Sequence, residues 1–242
     1  MKTGHASETG PIRPVTGKDV DELLSDDRLT VSIQTSFRGR LAFIRRFYFT
    51  AAAPFEASRR RNITRHAPNE HLQDESESWE GSTKGLELLG QCSLSLVAKA
   101  IQDCLREFAK REGAVLGPKK PKESWFDYYC RYLEDNTSFR WNNSPVPRDQ
   151  IEQINLCRND FLHDPDIDGN QPKQSVSHFE KHPLSRFNDG VERAVVKAIA
   201  QVNGEEFEAT PGSLSVTRYK LLGAIADAGK FCAFVETQNK QP

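Results

Sequence analysis

Six consecutive residues, Arg158-Asn159-Asp160-Phe161-Leu162-His163, combine side chains that could act together on a phosphodiester. Arg158 carries a permanent positive charge that can bind phosphate, and His163 can gain or lose a proton near neutral pH. Asn159 can hydrogen-bond a phosphate or a neighbouring side chain. A histidine that takes the 2′-hydroxyl proton or protonates the leaving oxygen, beside an arginine that stabilises the phosphorane, is suited to cleaving RNA without a metal ion.

The pattern around this segment predicts a helix over about residues 148–163. Ile151 and Ile154 define its apolar face, and Arg158 is the next residue on that stripe. An arginine there is unusual, because a buried arginine is costly unless it is paired or lies in a cleft. Asp164-Pro165 ends the helix. His163 therefore falls in the last turn, where the negative helix terminus favours the protonated imidazole.

The segment resembles the R-x4-6-H motif of the HEPN superfamily, in which a polar residue follows the arginine. The resemblance implies a helical bundle that forms a homodimer, so that two copies of the motif share one cleft. Many members are metal-independent endoribonucleases of toxin or anti-phage systems, and they leave 2′,3′-cyclic phosphate ends. The resemblance therefore implies RNA as the substrate, no cofactor or metal, an antitoxin or inhibitor as a further partner, and catalytic roles for Arg158, Asn159 and His163. One alternative is a non-catalytic HEPN-like module that binds RNA, a nucleotide or a partner protein. Another is a plain helical interaction protein in which the motif is accidental.

A near-duplicate of the motif lies at Arg61-Asn62-Ile63-Thr64-Arg65-His66, in a basic stretch without an apolar helical register. The chain balances 33 basic against 34 acidic residues, for a net charge of −1, so any contact with nucleic acid must come from a local basic patch. Arg59, Arg60, Arg61 and Arg65 could form that phosphate-binding patch, and the alternative is an exposed charged turn.

Two segments imitate metal sites without their full ligand sets. Asp164–Asn170 has the acidic spacing of a calcium loop, but Ser175 stands where the bidentate glutamate belongs. His178 and His182 have zinc-like spacing, but Glu180 is out of place and a proline follows. We therefore expect an acidic turn and no metal site, and these histidines could instead be a second contact with nucleic acid.

The positions of apolar residues predict an all-α, up-and-down bundle of four to five helices with a small β-hairpin. Pro54 is expected to kink or end the first helix, a solvated loop is expected over residues 59–80, and Ser215 is expected to cap the last helix. The aromatic residues of 123–135 are expected in the core. The predicted helices cover about 30–53, 82–111, 123–135, 148–163 and from 215 onward, and the hairpin covers about 195–209.

The five cysteines are odd in number, widely spaced and free of any C-x-x-C pair, so we expect reduced thiols in a cytoplasmic protein. No signal peptide and no apolar run of 18 residues is visible, so no membrane segment is expected. Residues 1–28 are rich in Gly, Thr, Pro and Asp and are expected to form a mobile arm. Residues 29–242 are expected to form the helical domain.

Overall fold

The computed structural model describes residues 33–64, 72–111, 117–121, 123–163, 172–183, 185–189, 202 and 211–238. In these ranges the fold is all-α, with six helices packed together and no strand. This confirms the predicted all-α class, but the number of helices exceeds the predicted four to five. The described helices belong to one compact unit, 33–242. They are α1 (Ile33–Thr64), α2 (Leu72–Arg111), α3 (Trp125–Asn136), α4 (Arg148–His163), α5 (Val176–Lys181) and α6 (Arg218–Thr237), with a 3-10 turn at Trp141–Asn143.

Helices α1 and α2 form a long antiparallel pair. Arg40 reaches Asp103 near one end, and the Arg59 guanidinium lies 4.6 Å from the Trp79 ring centroid near the other. The face of α1 that packs inward has the spacing of three and four that buries one helical stripe. Its buried residues are Phe37, Leu41, Ile44, Tyr48 and Ala52.

Two expectations for this helical pair are contradicted. Pro54 was expected to kink or end the helix; the end is wrong, because α1 continues to Thr64, and the kink stays a prediction. The loop expected over residues 59–80 is largely helical, since α2 begins at Leu72. Packing across the pair explains the continuation: a β-carbon at Gly85 would lie 2.5 Å from the Phe55 ring, and Arg59 stacks on Trp79. Such contacts outweigh the single backbone hydrogen bond that a proline removes.

Helix α6 packs against α1, α2 and α4. It begins after Thr217, whose hydroxyl accepts a hydrogen bond from the Lys220 amide, so the expected cap at Ser215 is wrong by two residues. A disulfide joins Cys104 of α2 to Cys232 of α6, with a Cα–Cα distance of 6.7 Å. The expectation of five reduced thiols is therefore wrong for this pair. Both cysteines lie on buried faces that the fold brings together, which their separation of 128 residues concealed.

Helix α3 and the 3-10 turn supply an aromatic cluster to the core. Ser124 caps α3 by accepting a hydrogen bond from the Asp127 amide. Phe126 packs on Trp141, which stacks on Phe231 of α6 with a centroid separation of 5.1 Å. Phe126, Tyr129 and Tyr132 are buried and Trp125 packs against the core, so the expected core role of these aromatic residues is confirmed.

Several expectations fall on residues outside the described ranges. These are the 1–28 arm, Arg65 and His66, the acidic segment 164–170, and the hairpin over 195–209 apart from Val202. Val202 is helical, so the strand expected at this residue is wrong. Within the ranges, two isolated bridges, Lys173 with Ser213 and Asn188 with Leu214, join the segment around α5 to the residues before α6. No helix of the described part is long and apolar enough to cross a membrane.

Candidate functional site

Helix α4 positions the candidate motif, and its bounds agree with the predicted 148–163. Its apolar stripe consists of Ile151, Ile154, Cys157 and Phe161, all buried in the core. Arg158 was expected on this stripe. The structure instead places it at the margin, half-buried, because the stripe passes through Cys157. The guanidinium of Arg158 therefore avoids the desolvation that a core position would impose.

Arg158 and Asn159 contact each other directly. Nη1 of Arg158 donates a hydrogen bond to Oδ1 of Asn159 at 3.0 Å. No carboxylate of the described residues forms an ion pair with Arg158. A guanidinium that is held by a neutral amide keeps its full charge for another ligand, and planar oxyanions match its geometry.

His163 is the last residue of α4. Asp164 and Pro165 lie outside the described residues, so the expected stop at Asp164-Pro165 stays a prediction. The side chain of His163 lies outside what the structure describes, so its distance from Arg158 stays untested.

Asp160, the third residue of the motif, forms a buried pair with His178 of α5. Oδ2 of Asp160 lies 2.6 Å from Nδ1 of His178, and their side chains are 4% and 0% exposed. Nε2 of His178 is buried and has no hydrogen-bond partner among the described residues. Removing both groups from water is costly, and their hydrogen bond offsets that cost only while both partners are present. The pair therefore fixes α5 to α4 one residue beyond Asn159.

A second connection between α4 and α5 lies two helical turns earlier. Glu152 accepts from Nζ of Lys181 at 2.7 Å, and its other oxygen lies 3.0 Å from Nε2 of His182. Burial tends to lower the pKa of Lys181, but the hydrogen bond and charge of Glu152 outweigh it, and the pKa is raised. The described side-chain pairs between α4 and the segment of α5 are thus polar at both positions.

These contacts bear on His178 and His182, the two histidines whose spacing is like that of zinc ligands. His178 is fully buried, so the expectation that it contacts nucleic acid is wrong in this structure. His178 and His182 each pair with a different carboxylate, and their ring centroids are 6.1 Å apart. Among the described residues, no group of three or more His, Cys, Asp and Glu side chains is arranged to hold a metal ion.

Lys220 of α6 lies near Cys157 of α4 and holds the loop before α6. Nζ of Lys220 donates to the carbonyl oxygens of Phe187, Asn188 and Ser215 at 3.3, 2.8 and 3.1 Å. Burial lowers the pKa of Lys220. Burial also raises the pKa of the Cys157 thiol well above its ordinary value, which keeps the thiol protonated and a poor nucleophile.

Comparison of the chain with protein-family models, curated proteins and solved structures gives no match. The HEPN resemblance rests on the motif residues and on the helical architecture alone.

The expected RNA-binding arginines belong to a different element. Arg59, Arg60 and Arg61 lie in the last turns of α1, where Arg59 is half-buried against Trp79 and the other two are exposed. Arg61 is helical, so the basic stretch that contains the near-duplicate motif begins in a helix and not in the expected loop. Helix α1 packs mainly on α2 and α6, whereas Arg158 and Asn159 are carried by α4.

Sequence reasoning missed Asp160 and His178 as a pair. The only signal for His178 was its spacing from His182, which suggested a metal site instead. Asp160 lies off the apolar stripe of α4, where an acidic residue ordinarily faces solvent. The buried partner that makes it structural is 18 residues away, on a helix that the sequence pattern did not predict.

Proposed function

We propose that this protein is a metal-independent endoribonuclease with a HEPN-like up-and-down bundle, acting as a homodimer in a toxin or anti-phage system. Arg158, Asn159 and His163 form the catalytic set, with both subunits contributing to one cleft. The observation that carries the proposal is the state of Arg158. It is half-buried, bound to a neutral amide and unpaired with any carboxylate of the described residues, so its charge is available to a phosphate.

The proposed reaction is transesterification within the RNA. The 2′-oxygen attacks the adjacent phosphorus while one histidine accepts the 2′-hydroxyl proton, and the bond from phosphorus to the 5′-oxygen breaks as that oxygen gains a proton. The products are a 2′,3′-cyclic phosphate and a 5′-hydroxyl. Arg158 stabilises the charge of the phosphorane. Two His163 residues in a shared cleft can supply the base and the acid.

The contacts that hold α4 in place support the proposed catalytic set, because they fix the position of the motif. The buried Asp160–His178 pair and the Glu152 contacts hold the motif helix from the side of α5. A catalytic group needs such support, because small displacements of a reacting group cost large factors in rate. An inhibitory antitoxin that covers the motif is the partner expected of a toxin of this kind.

The test is cleavage of single-stranded and hairpin RNA in EDTA by the purified wild-type protein, Arg158→Ala and His163→Ala. We expect cleavage by the wild type and a loss of at least about 100-fold in each variant, the factor typical of an acid–base residue. His66→Ala is the matched control, because it removes the histidine of the near-duplicate motif, and it should keep wild-type activity.

Cleavage that survives both Arg158→Ala and His163→Ala contradicts the catalytic assignment. Loss of cleavage in the His66 variant alone would move the site to the near-duplicate. RNA binding by the wild type without cleavage favours the alternative, a non-catalytic HEPN-like module.

A further inference from the structure

Helix α1 concentrates positive charge in a chain whose net charge is −1. Its 32 residues include seven arginines and one acidic residue, Glu56. Arg38, Arg45 and Arg46 are exposed, and none of them forms an ion pair within the described part of the chain. Basic charge concentrated on one helix provides the local patch that a nearly neutral protein needs to attract a polyanion.

Two exposed aromatic rings lie among these arginines. Phe43 and Phe47 are 59% and 40% exposed, and one helical turn separates them. Their rings stack, with centroids 6.3 Å apart and planes 19° from parallel. Single exposed apolar residues are common, but a stacked pair that leaves ring faces in solvent is an open surface for a further planar group.

A groove of about 410 Å³ adjoins Phe43, between α1 and α2. Phe43, Leu96 and Ala100 give it an apolar lining, and Arg40 and Lys99 supply cations. Pockets that hold small planar ligands are usually apolar with a few polar groups. The groove and the phenylalanine pair therefore form one continuous surface of apolar contact edged by positive charge.

The acidic residue in this groove does not cancel its charge. Asp103 is contacted by Arg40 at 2.7 Å, by Lys99, and by Arg106 at 3.0 Å. Burial alone would raise the pKa of Asp103, but Lys99, Arg106 and Arg40 outweigh it and hold the pKa below its ordinary value. One ionised carboxylate among three cations leaves a net positive cluster beside the groove.

We propose that a stacking face, formed by Arg40, Phe43, Arg46 and Phe47 of α1 with Leu96 and Lys99 of α2, binds single-stranded RNA. Bases stack on Phe43 and Phe47, and the phosphates contact the arginines and Lys99. Aromatic platforms in a basic groove are the general means of binding single strands without sequence readout. This inference rests on the proposed function only for the choice of RNA as the single strand. This face is separate from Arg158, and the two sites differ in role.

A second copy of the chain is the other occupant that an apolar face could accept. The charges oppose it, since pairing this face with itself would bring Arg40, Arg46 and Lys99 close to their own copies. Like charges across an interface disfavour association. A strand of phosphates, in contrast, gains from the same cations.

The experiment measures the anisotropy of a fluorescein-labelled 2′-O-methyl single strand as protein is added. The proposed reaction needs a free 2′-hydroxyl, so this probe reports binding without cleavage. The double variant Phe43→Leu/Phe47→Leu keeps an apolar surface but removes the ring faces. We expect its Kd to rise by at least about 10-fold, since each stacked base contributes strongly to affinity.

Charge and position are tested with two further variants. In Arg46→Gln, the slope of log affinity against log salt should weaken by roughly 0.7, the value for one phosphate contact with a single strand. Tyr219→Leu is the matched control, because Tyr219 is an 85% exposed aromatic residue outside this face, and its Kd should equal that of the wild type. A blunt 2′-O-methyl duplex should bind at least about 10-fold more weakly, since paired bases cannot stack on the rings.

The inference is overturned if the wild type does not bind the probe, if the double variant binds it as tightly as the wild type, or if the duplex binds equally well. A double variant that changes only the molecular mass in light scattering would assign the face to a second copy instead. Probe binding that depends on Phe43 and Phe47, without cleavage of unmodified RNA, would sink the proposed function and leave this face standing. Loss of cleavage in Arg158→Ala, with unchanged binding of the probe, supports both the proposed function and the stacking face.

Discussion

At the residue scale, one short segment combines two different tasks. Arg158 and Asn159 present polar groups that no described carboxylate neutralises, whereas Asp160 is buried against His178. The motif thus contains both proposed chemistry and its own structural anchor. The residue types in the motif were readable from the sequence, but the anchor was not, because a carboxylate on a helix gives no local sign of a buried partner.

His178→Ala should destabilise the protein strongly. The change leaves the Asp160 carboxylate buried without its partner, and breaking a buried pair in this way costs about 3–5 kcal/mol of unfolding free energy. Urea unfolding measures the loss. His182→Ala is the matched control, because His182 lies at the more exposed Glu152 contact, and its loss should be much smaller. Equal, small losses in both variants would show that the Asp160–His178 pair is not an anchor.

At the element scale, the helices with continuous apolar stripes were predictable and the features fixed by tertiary contact were not. The described extent of α4 follows from its stripe, and α3 follows from its aromatic residues. The passage of α1 through Pro54 depends on packing against α2, which no local pattern encodes. Helix α5 has only six residues, too few for a periodic signal.

Replacing each of two glycines of α2 by alanine should change the unfolding free energy in opposite directions. A methyl group at Gly90 would collide with the carbonyl oxygen of Val216, so Gly90→Ala should destabilise the protein by about 1–3 kcal/mol. At Gly81 a methyl group meets nothing within 4 Å, and alanine should stabilise the helix by up to about 1 kcal/mol. Urea unfolding of the two variants measures both changes in stability. Similar changes at both positions would contradict the close approach of α2 to the residues before α6.

The stability that the Arg131–Glu123 contact contributes at the start of α3 should depend on pH. Hydrogen bonds from Arg131 lower the pKa of Glu123 from 4.5 to about 2. Between these values the unfolded chain binds more protons than the folded one, so the contribution of Glu123 is complete above pH 4.5 and is lost as the pH falls toward 2. The difference in Tm between wild type and Glu123→Gln should therefore shrink from pH 7 to pH 3. A constant difference would contradict the assignment.

At the scale of the whole molecule, the fold class followed from the sequence, but long-range pairings did not. Neither the Cys104–Cys232 disulfide nor the basic, aromatic face of α1 could be located before the helices were placed beside one another. Overall charge was also a poor guide, since a net value of −1 conceals the seven arginines of α1. The candidate catalytic set could be proposed from residue type and helix position alone.

The disulfide gives a prediction for the whole chain. Thiol titration in denaturant without reductant should find the three cysteines outside the bond, Cys92, Cys130 and Cys157, and all five after reduction. Reduction should also lower the unfolding free energy by about 2–5 kcal/mol, because the bond closes a long loop in the unfolded chain. Five reactive thiols before reduction would instead restore the expectation of a fully reduced protein.

Single-turnover cleavage, in EDTA, of one RNA strand in its unmodified and 2′-O-methyl forms tests whether Arg158, Asn159 and His163 form an active site. We predict that wild-type protein cuts only the unmodified strand, leaves a 2′,3′-cyclic phosphate, and loses at least about 100-fold in rate in His163→Ala. Cleavage of the 2′-O-methyl strand, or equal rates for the wild type and His163→Ala, would contradict an active site built on Arg158, Asn159 and His163.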